Sequence, residues 1–124
     1  MVTEITMDDI KNGLTTERDD LIILMFYGPT CGPCKATMPN YEDAARFYIK
    51  KTSKIHCMRI NAWEPQDQAD YCKSFWKVEG VPHFKTFCRG EELTSKIGGG
   101  DLDTMKQFIH SAIDTVFKKF DVRI

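Results

Sequence analysis

No charge of either sign dominates this 124-residue chain: 17 Lys and Arg stand against 18 Asp and Glu, for a net charge of −1. That balance gives no electrostatic drive toward nucleic acid or an acidic membrane surface, so neither is expected as a partner. Long apolar runs are missing as well. The longest, Leu21 to Tyr27, is far too short to cross a bilayer. The opening residues, MVTEITMDDIKNG, are acidic and lack the apolar stretch of an export signal. The five cysteines are therefore expected in a reducing compartment, mostly as free thiols, with the cytoplasm as the expected location. Cys/His pairs at metal-ligand spacing are wanting too. Cys57, Cys72, Cys88, His56, His83 and His110 each stand alone, so no metal is expected. Nothing repeats, and no stretch is low in complexity. What remains, 42% hydrophobic and 28% charged, is ordinary for one globular domain over residues 1–124.

Against this plain background one stretch is informative, LIILMFYGPTCGPCKATMP at residues 21–39. Leu21 to Tyr27 has no polar face, which suits a central strand covered on both sides. Gly28 and Pro29 end it. Pro33 suits a first helical turn, where its missing N–H costs nothing and its fixed φ is already helical. Cys31 then falls at or just before a helix N-terminus, with Cys34 in the first turn. Unpaired N–H groups and the positive end of the helix dipole favour a thiolate at Cys31. Two intervening residues allow Cys34 to close a short disulfide ring. Such a dithiol can attack another protein's disulfide through Cys31 and be released when Cys34 attacks the mixed disulfide. The alternative, half of a zinc site, needs a second ligand pair, and none stands out.

Phe26, Cys31-Gly32-Pro33-Cys34-Lys35, Pro39, Gly80-Val81-Pro82, Phe87, Arg89-Gly90-Glu91 and Gly98 follow one another in the order and spacing of the thioredoxins. The chain resembles that family over about residues 5 to 117. The resemblance implies a thioredoxin fold, α/β, with a central mixed sheet of four to five strands and helices on both faces. It implies Cys31 as nucleophile, Cys34 as resolving thiol, and Gly32, Pro33 and Pro82 as support. It also implies a cis bond at Val81–Pro82, with Thr30, Val81 and Gly98 facing an extended substrate strand that pairs along the backbone. The redox-active disulfide would be the only prosthetic element, with no other cofactor. The implied partners are disulfide-containing proteins and a thioredoxin reductase or other dithiol donor, and the expected state is a monomer.

The remaining elements are read from pattern. Val2 to Ile5 reads as an edge strand, and Thr6 as the cap of a short helix over Met7 to Leu14. Apolar residues from Met38 to Ile49 recur at helical spacing, and Pro39 is expected to kink that helix. Lys54 to Ile60 reads as a strand parallel to the central one. Asn61 to Asp70 reads as a loop longer than the family norm, followed by a helix over Tyr71 to Lys77. Pro82 to Cys88 and Leu93 to Ile97 read as an antiparallel pair turning at Arg89-Gly90-Glu91. Asp101 caps a last helix with an apolar stripe from Leu102 to Phe120, and residues 118–124 read as an added tail.

Three departures from the family pattern bear on function. Met25 stands where the family carries a buried Asp, and Cys57 where a Lys faces it. Losing both members of a buried ion pair is coherent, since losing one strands a charge at about 3–5 kcal/mol. The expected cost is slower release of the mixed disulfide. His83 and Cys57 are candidate replacements for the base. Thr30 replaces an aromatic contact residue, and Trp63 is the candidate that restores it. The leading reading is a protein-disulfide reductase. The rivals are a thioredoxin-fold binding module whose redox turnover is dispensable, and an oxidase or isomerase.

Overall fold

A computed structural model describes residues 1–14 and 16–124. Among the described residues the order is β1 (Thr3–Ile5), α1 (Met7–Lys11), β2 (Leu21–Tyr27), α2 (Gly32–Ile49), β3 (Ile55–Asn61), α3 (Gln66–Ser74), β4 (His83–Cys88), β5 (Glu91–Ile97) and α4 (Leu102–Phe120). The strands form one mixed sheet in the order β1-β3-β2-β4-β5. Strands β1, β3 and β2 run parallel, and β4 and β5 are antiparallel additions. The apolar run at β2 is central, as its lack of a polar face requires.

Alternation along β2 divides the core in two. Leu21, Ile23 and Met25 face α2 and α4, where they meet Tyr41, Ala44, Ala45, Phe84, Met105, Ile109 and Val116. Leu24 and Phe26 face the other way, against Ile5, Ile60, Cys72 and Phe87, with Trp76 packed alongside. The pleat thus decides which side chains can reach Cys31 and Cys34, which belong to the first group.

The structure redraws several boundaries. Helix α1 stops at Lys11 rather than Leu14, because Asn12 closes it and Gly13 turns left-handed at φ +75°. Its start is as expected, with Thr6 and Asp9 forming a reciprocal capping box. Half of the expected long loop is helix: α3 begins at Gln66 and ends at Ser74. Periodicity missed it because a buried amide, not an apolar stripe, anchors its first turn. Gln68 is 5% exposed, accepts from the Met7 N–H (3.0 Å) and donates to the Asn61 carbonyl (2.9 Å). The last hairpin turns on Arg89 and Gly90 alone, both at positive φ, so Glu91 already pairs with Cys88. Helix α2 runs without interruption through Pro39. Lys118 to Phe120 complete α4, and the end of the chain packs on the core through Val122 and Ile124. Among the described residues, no helix is long and apolar enough to cross a membrane.

Candidate functional site

The parallel strands β2 and β3 both end on the edge of the sheet where open α/β folds place their sites. Strand β2 delivers the chain through Gly28, Pro29 and Thr30 to Cys31, which caps α2. The Cys34 N–H donates to the Cys31 sulfur at 3.2 Å, so the sulfur sits where helix ends hold negative charge. Cys31 and Cys34 form a disulfide, with Cα atoms 5.2 Å apart. Once reduced, Cys31 has an environment that favours its thiolate. Gly32 and Pro33 are exposed between the two sulfurs, and Thr30 is exposed just before them.

The turn before β4 meets this helix end. The Val81–Pro82 bond is cis, and the Val81 carbonyl oxygen lies 3.8 Å from the Cys31 sulfur. The Gly98 N–H donates to the Pro82 carbonyl at 2.8 Å, which brings the end of β5 to the same place. Gly98 has φ +93°, a conformation that disfavours side chains. Behind it, a Cβ on Gly99 would collide with Thr37 of α2, so the glycine run lets this segment close onto the helix. Cys31, Cys34, Val81, Pro82 and Gly98 are thus assembled from distant parts of the chain.

Trp63 joins them from the loop after β3. It is 47% exposed, yet one side of its indole lies on Gly28, where any Cβ would strike the ring. The Asn61 carboxamide oxygen accepts from the Trp63 and Glu64 N–H groups at 2.9 and 3.1 Å and fixes the loop. A second cis bond, Glu64–Pro65, follows before α3 and was not read from the sequence. Trp63 thus covers Gly28, three residues before Cys31 in the chain, and lines one cleft with Val81.

Neither candidate base fits. His83 pairs with Phe26 across β2 and β4 and stacks edge-on to it at 6.3 Å, on the opposite face of the sheet from the sulfurs. Its Nε2 meets Ser95 Oγ at 2.7 Å, and burial lowers its pKa. Cys57 does not face Met25 as expected: β3 pairs Cys57 with Ile23 and sets Arg59 opposite Met25, so the carboxylate alone is missing and a cation is kept. Cys57 does share the core with Cys34, but it is 2% exposed and burial pushes its thiol up to about 12. It stays protonated at neutral pH and is a structural cysteine. Cys72 and Cys88 are buried as well, with pKa values also raised by burial, to about 11 for Cys72. Among the described residues, no group of three or more His, Cys, Asp or Glu could hold a metal.

The sequence profile of the thioredoxin family matches residues 2–111. The chain belongs to the thioredoxin family. It is 28% identical over 114 residues to a maize M-type chloroplastic thioredoxin, a match spanning 90% of this chain and 64% of that protein. It is 36% identical over 89 residues to mouse protein disulfide-isomerase A4, a match of 72% of this chain but only 12% of that much longer protein. Among solved structures, the germline-specific thioredoxin Deadhead of Drosophila melanogaster superposes with a TM-score of 0.71 at 27% identity, covering 90% of this chain and 98% of that one. Spinach chloroplast thioredoxin f shares the fold, with a TM-score of 0.73 at 23% identity over 90% and 92% of the two chains. The thioredoxin fold and a redox-capable Cys31–Cys34 pair are therefore established features of this molecule. Cis-Pro82 stands beside that pair as the resemblance implied.

Proposed function

We propose that this thioredoxin-family protein is a thiol–disulfide oxidoreductase that works as a protein-disulfide reductase. The observation that carries the reading is the Cys31 sulfur at the N-terminus of α2, in contact with the backbone before cis-Pro82. In the reduced protein the Cys31 thiolate attacks one sulfur of a substrate disulfide, and the other leaves as a thiolate. Cys34 then attacks Cys31 Sγ, forming the intramolecular disulfide and expelling the second substrate thiolate. Two electrons pass from the dithiol to the substrate. A reductase or another dithiol donor restores the pair, and no further cofactor takes part. The working form is a cytoplasmic monomer, and Thr30, Val81 and Gly98 receive the substrate as an extended strand.

The direction is tested by the reduction potential of the Cys31–Cys34 pair in defined thiol–disulfide buffers. A value near about −270 mV supports reduction, and one near about −180 mV or above assigns oxidation or isomerisation instead. Trp63 carries a separate expectation. A half-exposed indole propped on Gly28, on one cleft with Val81, is built to touch a protein surface. Trp63→Ala is expected to lower kcat/KM for a protein disulfide such as insulin about tenfold, the size of a modest interface anchor. Turnover of a small disulfide should hold. Equal losses on both substrates, or none on insulin, would remove Trp63 from substrate contact.

A further inference from the structure

Three glycines separate the last strand from the last helix, and two polar side chains of α2 hold them. Gly98 follows β5 and Asp101 caps α4, so Gly98-Gly99-Gly100 has no side chain of its own to anchor it. The Gly100 N–H donates to Thr37 Oγ1 at 3.3 Å, and Asn40 Nδ2 donates to the Gly100 carbonyl at 3.1 Å. We propose that Thr37 and Asn40 are positioning residues for the substrate, fixing the Gly98 side of the groove to the helix that carries Cys31 and Cys34. The inference rests on the reading of Val81 and Gly98 as the seat of an extended substrate strand.

Spacing on the helix lets the two side chains act together. Thr37 and Asn40 stand three and six residues after Cys34, and residues three apart are neighbours on a helix surface. Thr37 lies on the buried side of α2 with Cys34 and Tyr41, and is 4% exposed. A hydroxyl taken into that core is costly unless it is hydrogen-bonded, and the Gly100 N–H is its partner. Glycine loses more conformational freedom on ordering than any other residue, so three in a row stay ordered through contacts made by others.

The rest of the run is held from both sides. The Gly98 N–H donates to the Pro82 carbonyl at 2.8 Å, and Lys96 Nζ donates to the Gly98 and Gly99 carbonyls at 3.2 and 2.9 Å. On the far side Asp101 accepts from the Thr104 N–H at 2.9 Å, and the Thr104 side chain occupies the space a Cβ on Gly100 would need. Gly98 is thus tied directly to the cis-Pro82 turn and, two residues on, to the helix of the dithiol. The sulfurs ride on α2 and the substrate strand lies on Val81. The clamp through Gly100 sets the distance between these two parts, so the groove is formed before the substrate arrives. A groove ordered in advance binds more tightly, because less freedom is lost on association.

Thr37→Val keeps the shape of the side chain and removes its oxygen, and Asn40→Ala removes the amide. In the reduction of insulin, with dithiothreitol restoring the dithiol, each is expected to raise KM about three- to fivefold and the pair about tenfold, with kcat within about twofold. Reduction of 5,5′-dithiobis(2-nitrobenzoate), too small to lie along the groove, should keep its rate. Thr37→Ser retains the hydroxyl and should behave as the parent. Backbone order parameters of Gly98 and Gly100 from 15N relaxation should fall in Thr37→Val. An unmoved KM, equal losses on both disulfides, a fall in kcat instead, or no rescue by serine would each overturn the proposal. Thermal unfolding checks each variant, and Asn40→Ala, at a half-buried position, carries the test alone should Thr37→Val not fold. The underlying reading fails separately. A parent that reduces the small disulfide but not insulin has no substrate strand to position, which ends that reading and the clamp with it. A parent active on insulin whose KM the variants leave unmoved keeps the reading and loses only the clamp.

Discussion

Cys34→Ser is expected to turn the protein from a turnover catalyst into a covalent trap. The attacking step needs only Cys31, whose helix-end position survives the change, so a mixed disulfide still forms. A serine hydroxyl cannot expel a thiolate from sulfur, so release then waits for an external thiol. Multiple-turnover reduction of a protein disulfide should fall at least about a thousandfold, as when an essential nucleophile is removed. A disulfide-bearing protein should stay attached on a non-reducing gel and come free with excess dithiothreitol. Cys31→Ser should give neither turnover nor adduct. No other thiol is placed to substitute, since Cys57, Cys72 and Cys88 are each at most 2% exposed with pKa values raised by burial. Turnover retained by Cys34→Ser, or adducts formed by Cys31→Ser, would move the chemistry to one of those thiols and sink the proposed mechanism.

That the pair could be found from the sequence, and parts of its setting could not, has a physical cause. A sharp strand end, Pro33 in a first turn and two cysteines three apart are local, so the chain itself announces strand, turn, helix and dithiol. The apolar stripe of α4 is equally plain, because burial writes itself at a 3.6-residue period. The start of helix α3 was invisible for the opposite reason: the group it buries there is the amide of Gln68, and polar anchors carry no periodic signal. The partner of Met25 was misread as Cys57 because the true pairing, with Arg59, is one of register between strands 34 positions apart in sequence. His83 illustrates the same limit from the other side. It adjoins Pro82 in sequence, yet the pleat turns its ring away from the sulfurs, and only the pairing with Phe26 reveals it.

Tyr41 packs the core beneath Cys34 and joins α2 to the sheet. Its ring is 1% exposed and sits edge-on to Phe84 at 5.2 Å, in the same cluster as Met25 and Cys57. Its hydroxyl proton lies between the carbonyl oxygens of Ile23 at 3.1 Å and Met58 at 2.9 Å, which ties α2 to both central strands. Tyr41→Phe keeps the ring and removes only that tie, at an expected cost of about 1–2 kcal/mol. Tyr41→Ala also opens a cavity where no neighbour is free to collapse, for about 4–5 kcal/mol. Against a total stability on the order of 5–15 kcal/mol, the second loss is severe. At roughly 3–5 °C per kcal/mol for a domain of this size, Tm should drop by about 3–10 °C for Phe and by about 12 °C or more for Ala. Both should unfold in one transition. If Phe and Ala proved equally damaging, the hydroxyl and not the ring would be what holds α2 to the sheet. If Phe proved neutral, the two carbonyls would be satisfied by their strands alone, and the core would owe its stability to the ring.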